Sequence, residues 1–242
     1  MLFFYIRHGD PIYTPDSLTE LGKQQAEALA KRLSRYDIDQ IYASTSKRAI
    51  DTATPTANAL GKDIVTLDFC HENLAWKDTS IDIGDGRRAW TFAHPEAIDI
   101  MHTPEVRALG NGFLRHPYFS EKLTKESEGL ERIERETYAF FEILGFSHDA
   151  ERKCYHRNAL EKTPERVALF AHEGFGMAFL SVLLDVPYPI FSTHFGIGHT
   201  GMTVIEFAEN GYCIVPRVLQ HSNDSHIYKE GIPTNYQNRL FF

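Results

Sequence analysis

Leu2-Phe3-Phe4-Tyr5-Ile6-Arg7-His8-Gly9 sets five apolar residues in a row and follows them directly with a cation, an imidazole and a glycine. An apolar run without polar alternation suits a strand buried on both faces, the kind that forms parallel sheets covered by helices. In open α/β sheets, ligands bind beyond the carboxyl ends of the strands. Arg7 and His8 therefore fall where such a fold binds its ligand.

Outward from this strand the pattern alternates. Thr19 offers an N-cap, and Leu21, Ala28, Leu29 and Leu33 recur at helical spacing through about Tyr36. Ile41 to Ala43 predicts a short strand. Ser46 could cap a second helix from Lys47 to about Leu60, with Pro55 inside it and Gly61 as its stop. Ile64 to Phe69 predicts another strand. Strand and helix thus alternate through the first part of the chain, the signature of crossovers on a mainly parallel sheet.

From Trp76 to about Thr124 the pattern dissolves into short pieces rich in Gly, Pro, His and aromatics. This predicts an insertion at about 76–124 over one sheet edge, within a single domain spanning 1–242. A long amphipathic helix is expected from Glu121 to Leu144, a strand from Arg166 to Ala171, and an apolar helix from Gly174 to Asp185 that Pro187 stops. Thr203 to Phe207 and Cys213 to Leu219 flank Asn210-Gly211, a type I′ hairpin signal. The expected fold class is α/β: three α/β/α layers, a mainly parallel central sheet, an antiparallel edge and an inserted cap.

Composition bounds the function. The chain has 242 residues, of which 43% are hydrophobic and 24% charged, enough apolar material for a full core. A net charge of −8 argues against nucleic acid or an anionic membrane as partner, while leaving room for a local basic pocket. Three scattered cysteines, Cys70, Cys154 and Cys213, suit a reducing compartment and form neither a disulfide framework nor a thiolate cage. MLFFYI is too short for a signal-peptide core, and Phe175 to Leu184 falls short of a membrane span. A cytoplasmic location is expected. Oligomeric state is left open, with a homodimer as one option.

Four expected strand ends carry chemistry: Arg7-His8 after the first, Ser44, Ser46 and Arg48 after the second, Glu72 just past the third, and His172 after Val167-Ala168-Leu169-Phe170-Ala171. Two arginines, two histidines and a carboxylic acid suit phosphoryl transfer. Guanidinium groups bind a phosphate dianion in a planar fork. A neutral imidazole can attack phosphorus, a protonated one can steady the equatorial oxygens, and a carboxylic acid can protonate the leaving oxygen. Arg48, in a helix's first turn, opposes the helix dipole unless an anion sits beside it. Taken singly, each residue has a blander role. The arginines could be solvated or paired with Asp10 or Asp51, the histidines structural, and Glu72 a surface carboxylate. Their shared position at strand ends favours the joint reading.

Rival motifs fail. Gly196 to Gly201 fits GxGxxG, but a β-rich segment follows it instead of a helix. His71-Glu72 and His172-Glu173 lack the later histidine of a zinc helix, and no phosphate-binding GxxxxGK[ST] loop occurs. No metal and no cofactor are expected.

These residues also carry a resemblance. Arg7-His8-Gly9, the Leu18-Thr19 to Gln25-Ala26 helix start, Ser44 to Ala53, and Val167 to Glu173 with His199 to Thr203 appear in order. Together they resemble the histidine phosphatase superfamily, the phosphoglycerate-mutase-like fold. The resemblance implies His8 as a nucleophile forming a phosphohistidine, Arg7, Arg48 and His172 as the phosphate pocket, and Glu72 as proton donor, with Asp10 and Asp78 as substitutes. It implies a metal-independent phosphomonoesterase acting on a small phosphorylated substrate. Asp10, Thr14, Arg87 and Arg88 are the expected substrate contacts, with Trp90 nearby. Glu173 stands where glycine is frequent; it is expected to raise the pKa of His172 and to point along its helix. The competing functions are a phosphoglycerate-mutase-type phosphotransferase and a catalytically silent phospho-ligand binder.

Overall fold

The computed structural model describes residues 1–160, 162–209 and 211–233. Six strands form the central sheet: β1 (Leu2–Arg7), β2 (Gln40–Ser44), β3 (Ile64–Leu67), β4 (Arg166–Ala171), β5 (Met202–Glu206) and β6 (Arg217–Asn223), in the order β6-β5-β1-β4-β2-β3. β1, β4, β2 and β3 run parallel, while β5 and β6 add an antiparallel edge. This is the expected fold class.

Helices cover both faces: α1 (Glu20–Leu33), α2 (Lys47–Leu60), α3 (Glu72–Thr79), α4 (Gly129–Ile143) and α5 (Glu173–Leu183). Strand alternation sorts β1 between two cores. Phe4 and Ile6 pack with Leu29, Leu33 and Ala53 of α1 and α2. Phe3 and Tyr5 pack with Phe140, Phe141, Phe175 and Phe179 of α4 and α5. Each such ring, fully buried, contributes about 1.5–3 kcal/mol, which is why the run Leu2–Ile6 carries no polar residue.

Residues 80–120 form the short pieces expected of the insertion. A hairpin pairs Ser80–Asp82 with Arg88–Trp90, and three short helices each begin with a proline, at Pro95, Pro104 and Pro117. Buried Phe113 stacks on Tyr188 at 5.1 Å and ties this region to the segment after α5.

Three boundaries differ from expectation. The long helix begins at Gly129, not Glu121. Ser127 Oγ and the Glu128 N–H both bind buried Asp78, which pins the chain before the helix can start. The strand expected to Phe69 stops at Leu67 and turns through Asp68–Cys70. The last strand spans Arg217–Asn223, because Ile214 instead bridges Tyr155 of a separate ribbon, Phe146–Asp149 with Cys154–Arg157. Asn210 of the expected turn lies outside the described residues.

Candidate active site

Register alone brings the two expected histidines together. Arg7 of β1 is paired with Ala171 of the parallel β4, so His8 and His172 leave adjacent strands at one level. Their rings lie 5.2 Å apart, and both are buried. β4 pairs with β2 so that Phe170 meets Ala43, which sets Ser44 beside His172. Ser44 Oγ is 2.8 Å and Ser46 Oγ 3.2 Å from His172 Nε2.

Hydrogen bonds fix the tautomers. His8 Nδ1 lies 2.7 Å from the Gly9 carbonyl, which can only accept, so Nδ1 carries the proton and Nε2 keeps a lone pair. Arg48 Nη2 lies 3.2 Å from His172 Nδ1 and can only donate, so the His172 proton sits on Nε2, facing the serines. Burial first, then neighbouring charge, holds both imidazoles well below the ordinary histidine pKa. For His8 the chief charge is Arg7; for His172 it is His8 and Arg48.

The expected effect of Glu173 on His172 is not found. Glu173 does not lie along its helix; its carboxylate pairs with Arg7 Nη1 at 2.8 Å. Arg7 also donates to the Ile197 carbonyl at 2.5 Å. Burial first, then His8 and Arg48, leaves the His172 pKa lowered instead of raised.

Arg48 occupies the first turn of α2, with Asp16 Oδ1 at 2.8 Å and the Tyr13 ring 5.4 Å away. Ser46 holds the N-cap position but makes no cap bond. Asp16 Oδ2 takes the Lys47 N–H instead, which frees the serine hydroxyl for His172. Nε of Arg7 and Nε of Arg48 are buried without a hydrogen-bond partner among the described residues. Two buried guanidinium groups thus converge from β1 and α2 with unmet donors, the donor chemistry that suits an anion.

Glu72 opens α3 after the turn that follows β3. Its carboxylate accepts the N–H groups of Gly174 and Phe175, both at 3.1 Å, and so rests on the first turn of α5 beside His172. Burial outweighs those bonds and the two arginines, pushing its pKa up to about 7. Such a group donates or accepts a proton near neutrality.

Close packing explains two glycines. A Cβ on Gly9 would lie 2.7 Å from the Gly22 carbonyl oxygen, and one on Gly22 would lie 2.2 Å from that of Asp10. The Arg7-His8-Gly9 turn therefore rests directly on the start of α1. The Gly9 N–H, in turn, binds Thr52 of α2 at 3.0 Å.

Other expected residues stand elsewhere. Thr14 is exposed beyond the Pro11–Tyr13 strand. Arg87 lies at the tip of the insertion hairpin, 3.7 Å from Asp85, and is 68% exposed. Arg88 turns inward to Ser80 and the Lys122 carbonyl. Asp78 is wholly buried, its carboxylate bound to Arg132 of α4 at 2.5 Å and to the Glu128 N–H. Asp10 accepts from Thr19 at 2.7 Å and faces His199 at 3.4 Å. Trp90 lies over Gly174, where a Cβ would come within 2.4 Å of its ring.

Asp16 escaped the sequence reading, and His199 was read only as part of a motif, with no place in the site. Asp16 carries no local signal. His199 lies 5.7 Å from the His8 ring, with its pKa lowered to about 4 by burial and by Arg7. Because β5 runs antiparallel, the residues before it reach the same sheet edge as those after β1. That topology could have pointed to His199. Among the described residues, no group of His, Cys, Asp and Glu is arranged to hold a metal.

The site and fold define a class: an α/β/α protein with a buried histidine pair set between arginines at the carboxyl edge of its sheet. Residues 4–94 match the sequence model of the histidine phosphatase superfamily (branch 1). The resemblance read from the sequence is borne out. A 2,3-bisphosphoglycerate-dependent phosphoglycerate mutase of Thermoplasma acidophilum is 49% identical over 49 residues, 20% of this chain and 24% of that protein. A probable phosphatase of Schizosaccharomyces pombe is 29% identical over 106 residues, 40% of this chain and 51% of that protein. The matched stretches thus span at most about half of these relatives. The phosphoserine phosphatase of Entamoeba histolytica, solved with 3-phosphoglyceric acid, superposes with a TM-score of 0.57 at 17% identity, covering 93% of this chain and 98% of that one. At that identity the likeness concerns the fold. No helix among the described residues is long and apolar enough to cross a membrane.

Proposed function

We propose that this chain is a phosphomonoesterase working through a phosphohistidine on His8, without a metal. The carrying observation is a neutral imidazole with a free Nε2 lone pair, set among the same arginines as a carboxyl whose pKa lies at about 7. In the first step Nε2 attacks phosphorus in line, the bond to the leaving oxygen breaks, and Glu72 gives that oxygen its proton. In the second, the Glu72 carboxylate takes a proton from water as the water oxygen attacks phosphorus. The phosphorus–nitrogen bond then breaks, returning neutral His8, protonated Glu72 and inorganic phosphate.

Arg7 and Arg48 supply the positive charge that metal ions provide in other phosphoryl-transfer sites. A phosphoryl dianion between them reverses the field on His172 and favours its charged, donating form. The insertion, through Trp90, is inferred to bound the leaving-group side. The substrate class is a small phosphate monoester. The three free thiols support a reducing, cytoplasmic setting.

A second reading, phosphotransfer between positions of a phosphoglycerate, is favoured by the 49-residue match to a mutase. A silent phospho-ligand binder is the weaker alternative, because binding alone does not require a carboxyl held near neutrality beside the pocket. The test is p-nitrophenyl phosphate hydrolysis, run beside a coupled assay for 2- and 3-phosphoglycerate interconversion. Hydrolysis that survives chelation supports the phosphatase. Interconversion without hydrolysis supports the mutase, and loss on chelation restored by metal overturns the metal-free step. Enzyme labelled by substrate should lose its label in acid; label stable in acid but lost in base overturns phosphohistidine.

A further inference from the structure

On the face of the sheet covered by α1 lies a cavity of about 430 Å³ that shares no residue with the site above. Lys31, Arg32, Arg35 and Tyr36 of the α1 end wall it on one side, and His226 and Lys229 on the other. We propose that this cavity is a second anion site, shaped for a small organic phosphate. The proposal does not depend on the phosphatase reading.

Charge is the first argument. The chain as a whole carries −8, yet four cations gather here. Glu230 is the one acid in the wall, and Lys31 answers it at 2.5 Å. Arg32 is held by uncharged acceptors, Asn223 Oδ1 at 2.5 Å and Gln220 Oε1 at 2.9 Å, which leave its charge uncompensated. Arg35 and Lys229 have no ion-pair partner among the described residues. Lys31 and Arg32 complement the carboxyl end of the α1 dipole, but Arg35 and Lys229 lie outside that turn.

A buried histidine is the second argument. His226 is only 4% exposed; its Nε2 meets Thr200 Oγ1 at 3.0 Å, while its Nδ1 is buried with no partner. A buried polar atom without a partner is costly; with Nε2 accepting the Thr200 hydroxyl, Nδ1 carries the proton, and a turn of the ring toward the cavity would offer that N–H to an oxyanion. Ala28 and the Tyr36 ring add an apolar side, the match for a phosphate carrying an organic group. Thr200 also donates its N–H toward the Arg7 and His8 carbonyls, at 3.1 and 3.3 Å. His226 is thus joined through one residue to the catalytic strand.

Calorimetric titration of the full chain with inorganic pyrophosphate tests the proposal, since pyrophosphate should fill both sites. Two equivalents are expected. The exposed double substitution R35E/K229E should weaken one of them about 100-fold, at roughly tenfold for each lost charge contact, and leave p-nitrophenyl phosphate turnover unchanged. Arg48→Ala should remove the other equivalent. The His226 ring resonance should move on binding in the Arg48→Ala protein and stay fixed in R35E/K229E. A single equivalent in the unsubstituted chain that Arg48→Ala removes and R35E/K229E leaves in place would overturn the proposal, as would a second equivalent that survives R35E/K229E with the His226 resonance unmoved. R35Q/K229Q, which keeps the bulk and removes the charge, should show an intermediate loss.

Discussion

The two walls of the proposed active site are built by different means. On the sheet wall, Arg7, His8 and His172 stand at the ends of hydrogen-bonded parallel strands, and Arg48 one turn beyond another. Their spacing follows from ladder register, which a single side chain does not alter. On the facing wall, Glu72 of α3 follows a short turn and Trp90 ends the insertion hairpin, so their positions rest on packing against Gly174 and Phe175. Chemistry that tolerates little displacement sits on the rigid wall. The proposed leaving-group side falls on the wall that substitution can reshape.

The largest effect should come from the rigid wall. His8→Ala is expected to lower kcat for p-nitrophenyl phosphate by about 10⁴-fold or more, as loss of a nucleophile does elsewhere. Arg7→Ala should cost about 10²–10³-fold, the range for one stabilising donor of transition-state charge. Activity in His8→Ala within tenfold of the unsubstituted enzyme would remove the nucleophile from β1 and erase the distinction between the walls.

Glu72 joins the two walls and should show a mixed effect. Glu72→Gln is expected to cost about 10²–10⁴-fold on an alkyl phosphate, whose leaving group needs a proton. The loss should be much smaller on p-nitrophenyl phosphate, which leaves unaided. With a pKa of about 7, the acid form is present below neutrality, so turnover of the alkyl substrate should fall as pH rises past 7. The same shift bears on stability. A carboxyl whose folded pKa is raised favours folding at low pH, and that contribution is lost as pH rises through the folded value. Glu72→Gln should therefore raise Tm at pH 8 relative to the parent and change it little at pH 4. An unchanged pH profile for the alkyl substrate would assign the proton to another group.

The difference between the walls also governs what could be read from the sequence. Leu2–Ile6 and Val167–Ala171 announce buried strands because both faces must be apolar, and whatever follows them lies at the ligand edge. Arg7, His8, Arg48 and His172 were legible on that ground. Glu72 was less so, since its place depends on where β3 ends and how the chain turns through Asp68–Cys70. Arg87 and Arg88 were chosen as cations in the insertion, but composition does not reveal which way a hairpin faces. Glu173 was misread because sequence distance placed it next to His172, whereas its side chain reaches Arg7. His199 was read as part of the His199–Thr203 motif but given no place in the site, because its proximity to His8 comes from strand order, which no local pattern encodes.

On the insertion wall the effects should be smaller and should fall on binding. Trp90→Ala removes the ring that covers Gly174 and should raise KM about tenfold, roughly 1.4 kcal/mol of uniform binding, with kcat little changed. Gly174→Ala should do more, because its methyl group meets Trp90 while the Gly174 N–H must still hold Glu72. That substitution should lower kcat as well as raise KM. An unchanged KM in Trp90→Ala would show that the insertion does not bound the substrate.

Arg87 marks the bottom of the scale. Its guanidinium is exposed at the hairpin tip and opposes only Asp85, a surface pair of the kind worth about 0–1 kcal/mol. Arg87→Ala should therefore leave kcat/KM within about twofold for small phosphates at ordinary ionic strength, where surface charge is screened beyond about 8 Å. A tenfold loss confined to larger, more highly charged substrates would mean that the tip folds inward when such a ligand binds. The insertion would then act as a closing flap, and the packing-built wall would select substrates by motion instead of by fixed shape.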